Sequence, residues 1–325
     1  MTIFIPTIGN SGSAVFDMRL HEALIKNKIN SFIRYFPLSY SYCPLVLKYV
    51  PINGNIDIIH SNADYGYFFY RKNKKLVLTI HHLVRDKEYG NYTFFLQRAY
   101  HKIYIERYLK KALEIADKII AVSNFTKDMV LREIGQYEIE IIYNGINEKV
   151  FKPIQSKNTG SKKIRLLHTG NLTRRKGVDL LGEGFELYYT YGLRTKKILK
   201  NKLGNLKPLG KLSESRLVEE YNKADIILFP TRREGFGYLA VEGMACGKPI
   251  IATNCSSLPE LVDDGKRGFL CQMDNVDDFV EKIKILGESP ELRRQMGEYN
   301  RQKVLEKFTT KQMVERYIQI YKMVL

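Results

Sequence analysis

The feature that most limits how this chain can fold is a recurring run of β-branched and aliphatic residues without polar alternation, clearest in Ile226-Ile-Leu-Phe229. A strand that is apolar at every position has to be covered on both faces, as in a parallel sheet packed between helices. Strand candidates, several of them apolar without alternation, fall at residues 2–6, 56–60, 76–80, 118–122 and 139–143, and again at 164–169, 186–190, 226–230, 249–253 and 268–271. Amphipathic stretches lie between them. Ile105, Leu109, Ala112, Leu113 and Ala116 recur at helical spacing, with Lys110, Lys111 and Glu114 elsewhere on the wheel. Ser213 stands where an N-cap would open another helix. Alternation of this sort predicts α/β architecture.

The two sets of runs are separated by residues 152–163, which are polar, carry Pro and Gly and show no periodicity. This predicts two Rossmann-like domains, residues 1–150 and 151–307, followed by a helix over 308–325 that presents Tyr317, Ile318, Ile320 and Tyr321. The length of 325 residues agrees, because single hydrophobic cores stop growing at about 250–300 residues. Ligands of such sheets bind at the carboxyl ends of the strands, so two facing sheets make a cleft.

The formal net charge of +17 calls for an anionic partner: nucleic acid, a membrane surface or a phosphorylated substrate. No nucleic-acid motif accompanies the charge, and no nucleic acid is expected. No run reaches the roughly 18 apolar residues of a membrane helix. The N-terminus lacks the basic region of a signal peptide, so a cytoplasmic protein is expected. Cys43, Cys246, Cys255 and Cys271 show no C-x-x-C spacing, which signals neither zinc nor a redox pair and suits small buried hydrophobes. No metal site is expected, and no Asp-x-Asp is present to hold one.

The strongest chemical signal is Glu234-Gly-Phe-Gly-Tyr-Leu-Ala-Val-Glu242. It follows a buried strand and runs into a helix expected over 239–246. A glycine-rich strand-to-helix loop exposes backbone N–H groups and a positive helix end, which suits an anion or a sugar. The two carboxylates can accept hydrogen bonds from hydroxyls. The plainer reading is a helix N-terminus with acidic residues favoured by the dipole.

Taken with its surroundings, this segment resembles the retaining glycosyltransferases of family 4, which have the two-Rossmann-domain GT-B fold. Residues 116–126 (Ala-Asp-Lys-Ile-Ile-Ala-Val-Ser-Asn-Phe-Thr) and 142–146 (Ile-Tyr-Asn-Gly-Ile) look like the end of that family's first domain. His168-Thr-Gly-Asn-Leu-Thr-Arg-Arg-Lys-Gly177 looks like the phosphate-binding entry to its second. Glu234 and Glu242 match its paired glutamates, and residues 245–253 and 258–262 follow in family order.

The resemblance implies roles. Glu242 would bind the donor ribose and Glu234 the hydroxyls of the transferred sugar. Gly235, Phe236 and Gly237 would offer backbone N–H groups to sugar and diphosphate, and Lys176 would contact the diphosphate. Leu212 would lie near the base, Gly12 would let the backbone approach the donor phosphates, His81 would sit by the donor sugar and acceptor, and the helix over 308–325 would cross back to the first domain. The implied activity is metal-independent retaining transfer of a sugar from a nucleotide diphosphate to an acceptor hydroxyl, with no cofactor beyond the donor. The acceptor would be a carbohydrate or lipid-linked molecule in cell-surface polysaccharide or glycolipid assembly. The rivals are a nucleotide-sugar epimerase or phosphorylase of the same fold, or a basic binding protein that keeps the fold without catalysis.

The sequence departs from the family pattern at three places. Asn171 stands where an arginine is usual, and Arg174 or Arg175 would compensate. Gly182 and Gly184 interrupt a stretch that is normally helix. Ser256 and Ser257 replace two glycines, and their hydroxyls would reach phosphate or sugar. Weaker signals complete the reading. His81 and His82 diverge on extended chain and cannot chelate one metal. His60, near a strand end, suits packing or a place lining the cleft. The aromatic residues Tyr89, Tyr92, Phe94, Phe95, Tyr100, Tyr104 and Tyr108, interleaved with basic ones, suit either a core face or an anionic membrane surface. Arg71, Lys72, Lys74 and Lys75 would extend such a patch or form a solvated turn.

Overall fold

The computed structural model describes residues 1–9, 12–83, 106–154, 163–170, 186–190 and 206–325. They divide into two units, Met1–Gly145 with Thr310–Leu325, and Ile146–Thr309. The first holds a parallel sheet of β1 (Thr2–Ile8), β2 (Asn30–Phe36), β3 (Ile58–Asn62), β4 (Lys75–Ile80), β5 (Lys118–Ala121) and β6 (Ile139–Ile141), in the order β2-β1-β3-β4-β5-β6. The second holds β7 (Arg165–His168), β8 (Glu186–Thr190), β9 (Leu206–Gly210), β10 (Ile226–Phe229), β11 (Ile250–Thr253) and β12 (Gly268–Cys271), also parallel, in the order β12-β11-β10-β7-β8-β9. The described helices are α1 (Gly12–Lys26), α2 (Ala63–Phe69), α3 (Glu106–Ile115), α4 (Asn124–Glu133), α5 (Glu214–Lys223), α6 (Tyr238–Ala245), α7 (Leu258–Leu261), α8 (Val276–Glu288), α9 (Pro290–Lys307) and α10 (Thr310–Val324).

Each of the ten expected strand runs overlaps a strand. The central ones, β4 from Leu76 onward, β10 and β11, are buried at every position, as their composition requires. Two strands carry no such run, and both are sheet edges. In β2, Phe32, Arg34 and Tyr35 are exposed. In β9, Pro208 can be accommodated because an edge strand has one side free of ladder hydrogen bonds.

Three aspartates register the strands. Asp57, Asp117 and Asp225 stand just before β3, β5 and β10, and each accepts the backbone N–H that opens the neighbouring ladder. Asp57 takes it from Thr2, Asp117 from Leu76 and Asp225 from Arg165, each at 2.8 Å. A strand's first N–H would otherwise lack a partner.

Polar caps start the helices where the local sequence marks them. Ser213 accepts from Arg216 N at 3.4 Å and Ser123 from Thr126 N at 3.1 Å, each satisfying an N–H with no partner inside its helix. In the first unit the core joins Phe4, Phe36, Phe68 and Phe69 to the inner positions of β3 and β4. Helix α10 belongs to this unit and buries Tyr317 and Tyr321 completely. In the second unit Leu166, Ile226, Leu228 and Ile251 pack against Phe279, Ile283 and Met296 of α8 and α9.

Several surface expectations change. Cys246 and Cys271 are buried, but Cys43 is exposed. Arg71 donates to the carbonyls of Val50, Phe68 and Tyr70, and Lys75 pairs with Asp117 at 2.8 Å. Arg71 is thus built into the fold, its guanidinium satisfying carbonyls around α2, while Lys75 stays at the surface in an ion pair. Of the aromatic stretch, Tyr108 lies within the described residues. Its ring packs 4.8 Å from Phe68 and 5.1 Å from Tyr67, against α2.

Candidate donor and transfer sites

In the second unit β10 ends at Phe229, and the loop that follows turns into α6 through Gly237, whose φ is 105°. A side chain there would be strained twice: the left-handed region disfavours a Cβ, and that Cβ would lie 3.2 Å from Leu258, Leu261 and Phe229. Phe236 is buried and packs edge-on against Phe308 at 6.0 Å, so its side chain anchors the loop while its backbone stays in the turn. The Ser257 hydroxyl donates to Phe236 O at 2.9 Å. That hydroxyl supports the glycine loop, which corrects the expectation that it reaches a ligand. Ser256, beside it, adopts a left-handed φ of 55°.

Glu234 is half-buried in the loop, and Glu242 is buried one turn inside α6. A carboxylate placed for the helix dipole belongs in the first turn, where solvent reaches it. Glu242 instead accepts a hydrogen bond from the Tyr221 hydroxyl at 3.0 Å, and Thr169 Oγ1 lies 2.8 Å from that hydroxyl. Burial, and then the Glu242 charge, push the Tyr221 phenol well above its ordinary value. Tyr221 therefore keeps its proton and gives it to Glu242, which leaves Thr169 as the donor to Tyr221. His168 is wholly buried at the end of β7, and its Nδ1 donates to Leu228 O at 3.1 Å, holding the start of the next loop against β10. Gly170 N donates to Thr190 Oγ1 at 2.7 Å. Asn171, Arg174, Arg175, Lys176, Gly182 and Gly184 lie outside the described residues. Leu212 is half-buried between β9 and α5.

In the first unit His81 follows the carboxyl end of β4, with Phe16 edge-on at a centroid distance of 4.7 Å. Burial, and then the neighbouring His82 and His60, push His81 down to about 3, so the ring is neutral at ordinary pH. Its Nε2 is buried and has no hydrogen-bond partner among the described residues. His60 is a packing residue, as expected, but a polar one. Its Nε2 lies 2.7 Å from Thr79 Oγ1, and its Nδ1 meets the Tyr321 hydroxyl. Gly12 opens α1 at the surface, and a Cβ there would meet no atom within 4 Å. The protein's own packing does not demand glycine at that position. Gly9, with φ 68°, is the residue the turn after β1 requires.

Asp17 gave no sequence signal. It is buried on α1, accepts from Thr7 Oγ1 at 2.8 Å, and is pushed up to about 7 by burial against that hydrogen bond. Tyr221 was readable only as part of an amphipathic helix. No group of three or more His, Cys, Asp or Glu suited to a metal occurs among the described residues. Among them, no helix is long and apolar enough to cross a membrane.

Two doubly wound parallel units are the GT-B arrangement of glycosyltransferases. Sucrose-phosphate synthase from Thermosynechococcus elongatus superimposes with a TM-score of 0.84 at 20% identity, covering 100% of this chain and 99% of that one. Anabaena HepE in complex with UDP-glucose gives 0.75 at 16% identity, with 99% of each chain covered. Sequence supplies the family. The model for glycosyltransferase family 4 matches residues 14–150, and that for glycosyl transferases group 1 matches 151–303. An uncharacterised glycosyltransferase of Methanocaldococcus jannaschii is 32% identical over 276 residues, covering 82% of this chain and 75% of that protein. The chain belongs to the group 1, family 4-like glycosyltransferases.

Proposed function

We propose that the protein is a retaining glycosyltransferase that moves a sugar from a uridine diphosphate donor to an acceptor hydroxyl. The observation that carries this reading is the buried Glu242, held by Tyr221 at the end of a glycine loop that also presents Glu234. A buried carboxylate with one oxygen engaged by a phenol is suited to a rigid diol such as ribose. The HepE complex with UDP-glucose supports the choice of base.

In this mechanism Glu242 binds the ribose hydroxyls, Glu234 the hydroxyls of the transferred sugar, and Leu212 flanks the base. The N–H groups of Gly235, Phe236 and Gly237, with Lys176 and Arg175, stabilise the negative charge that grows on the diphosphate as the sugar leaves. Asn171 adds a neutral donor, and Gly12 admits the phosphates to the backbone after β1. The acceptor hydroxyl attacks from the face the diphosphate leaves, and the departing phosphate oxygen takes its proton. Cationic side chains and N–H groups carry the charge stabilisation, so no metal or cofactor is assigned. The His81 Nε2, without a hydrogen-bond partner among the described residues, supports its role as a donor to a sugar or acceptor hydroxyl. The +17 charge supports an acceptor in cell-surface polysaccharide or glycolipid assembly, reached at an anionic membrane face.

The test is a thermal-shift titration with UDP, GDP, ADP and their sugar conjugates, since a ligand bound only by the folded state raises its Tm. The uridine series is expected to stabilise the protein, and Glu242→Ala to abolish the shift. A shift from none of the three series, or one that survives Glu242→Ala, overturns the reading.

A further inference from the structure

We infer that Tyr221 is a positioning residue for nucleotide recognition, and that Thr169-Tyr221-Glu242 is a relay holding Glu242 in the rotamer that reads the ribose. The inference rests on the ribose role proposed for Glu242.

Three elements converge in this relay. Thr169 follows β7, Tyr221 lies in the last turn of α5, and Glu242 lies in α6. The distances are 2.8 Å from Thr169 Oγ1 to the Tyr221 hydroxyl and 3.0 Å from that hydroxyl to Glu242 Oε2. A phenol has one proton to give. Because it goes to the carboxylate, the threonine proton has to come to the phenol, and the chain has a single direction. Tyr221 is itself immobile. It is fully buried, and its ring meets Phe151 edge-on at 6.2 Å. The next residue, Asn222, fixes the end of α5 by donating to Lys152 O at 3.1 Å and accepting from Ile154 N at 2.8 Å.

A glutamate has three side-chain torsions, and a free one would spend rotamer entropy at each binding event. Engaging one oxygen from a rigid phenol settles that before the nucleotide arrives, so the relay acts on nucleotide affinity.

The experiment measures the affinity of UDP and of 2′,3′-dideoxyuridine diphosphate for the wild type, Tyr221→Phe, Thr169→Val and Glu242→Gln. The ratio of the two affinities is read, because a partly unfolded sample weakens both ligands alike and leaves the ratio unchanged. Wild type is expected to prefer UDP by at least about tenfold, the scale of a hydrogen bond to a charged group. Glu242→Gln and Tyr221→Phe should both bring the ratio towards one, with Thr169→Val between. In turnover, Tyr221→Phe should raise KM for the donor several-fold and leave kcat within about twofold, since ribose contacts are the same in ground and transition states. If Glu242→Gln collapses the ratio while Tyr221→Phe keeps the wild-type value, the relay is overturned and the ribose reading stands. If Glu242→Gln itself leaves the ratio unchanged, the ribose reading fails and the relay with it.

Discussion

Thr79 Oγ1 lies 3.0 Å from the Tyr317 hydroxyl, linking residues 238 positions apart in the chain. With His60 between Thr79 and Tyr321, four buried polar side chains form a continuous line, Tyr321–His60–Thr79–Tyr317, across β3, β4 and α10. Phe16 lies against this group and against His81, 5.7 Å from Tyr317 and 4.7 Å from His81. The last helix thereby reaches the surroundings of the proposed transfer histidine through one ring.

Removing the Tyr321 hydroxyl leaves His60 Nδ1 buried without its partner. Tyr321→Phe is expected to destabilise the protein by about 1–3 kcal/mol, the cost of an unsatisfied buried polar group. Urea unfolding followed by circular dichroism measures it. A change below about 0.5 kcal/mol, the size of an ordinary surface substitution, would mean that the network does not hold α10.

His81 offers the opposite balance. Its Nε2 is already unsatisfied within the described residues, so an apolar replacement removes a buried polar atom that nothing compensates. His81→Leu should cost less than about 1.5 kcal/mol of stability, as for a hydrophobic swap of similar volume. Loss of a transfer contact should lower kcat/KM by about a hundredfold. Parallel losses of stability and activity would instead make His81 a packing residue.

Asp17 predicts a pH signature. Its folded value of about 7 lies above the ordinary 3.8, so the folded state binds more protons than the unfolded one between these values. The contribution of the carboxyl is therefore fully present below about pH 4 and is lost as pH rises through 7. Asp17→Asn should gain on the wild type across that window, by at most about 1.4 kcal/mol per pH unit, with the gap constant above pH 8. Paired melting curves from pH 4 to 8 test this, and a gap independent of pH would show that Asp17 titrates like an exposed carboxylate.

Ser256 occupies the left-handed region with φ 55°. That conformation costs an L-residue roughly 1–2 kcal/mol, partly offset by glycine's larger loss of chain entropy on folding. Ser256→Gly should raise stability by about 0.5–1 kcal/mol, read as a higher Tm. An unchanged or lower Tm would mean that the Ser256 side chain contributes a contact worth as much as the strain.

The apolar runs, the glycine loop and the paired glutamates were legible because each is a local pattern. A strand covered on both faces has to be apolar at every position, as Ile226–Phe229 is, and Gly237 stands where the chain turns through a region closed to other residues. The edge strands β2 and β9 were not legible, since exposure removes the requirement that makes a buried strand recognisable. The partners of Glu242, His60 and Asp17 were hidden for a different reason. A buried polar atom needs a hydrogen bond but sets no sequence distance at which to find it. Tyr221 stands 21 residues from Glu242, and Tyr321 stands 261 from His60. By itself the sequence determined the α/β class and the position of the donor loop, because burial and backbone freedom are written residue by residue. Only the tertiary structure decided which hydroxyl meets Glu242 and which side chains Tyr317 and Tyr321 of α10 meet, because those pairings exist only once the sheets have brought distant segments together.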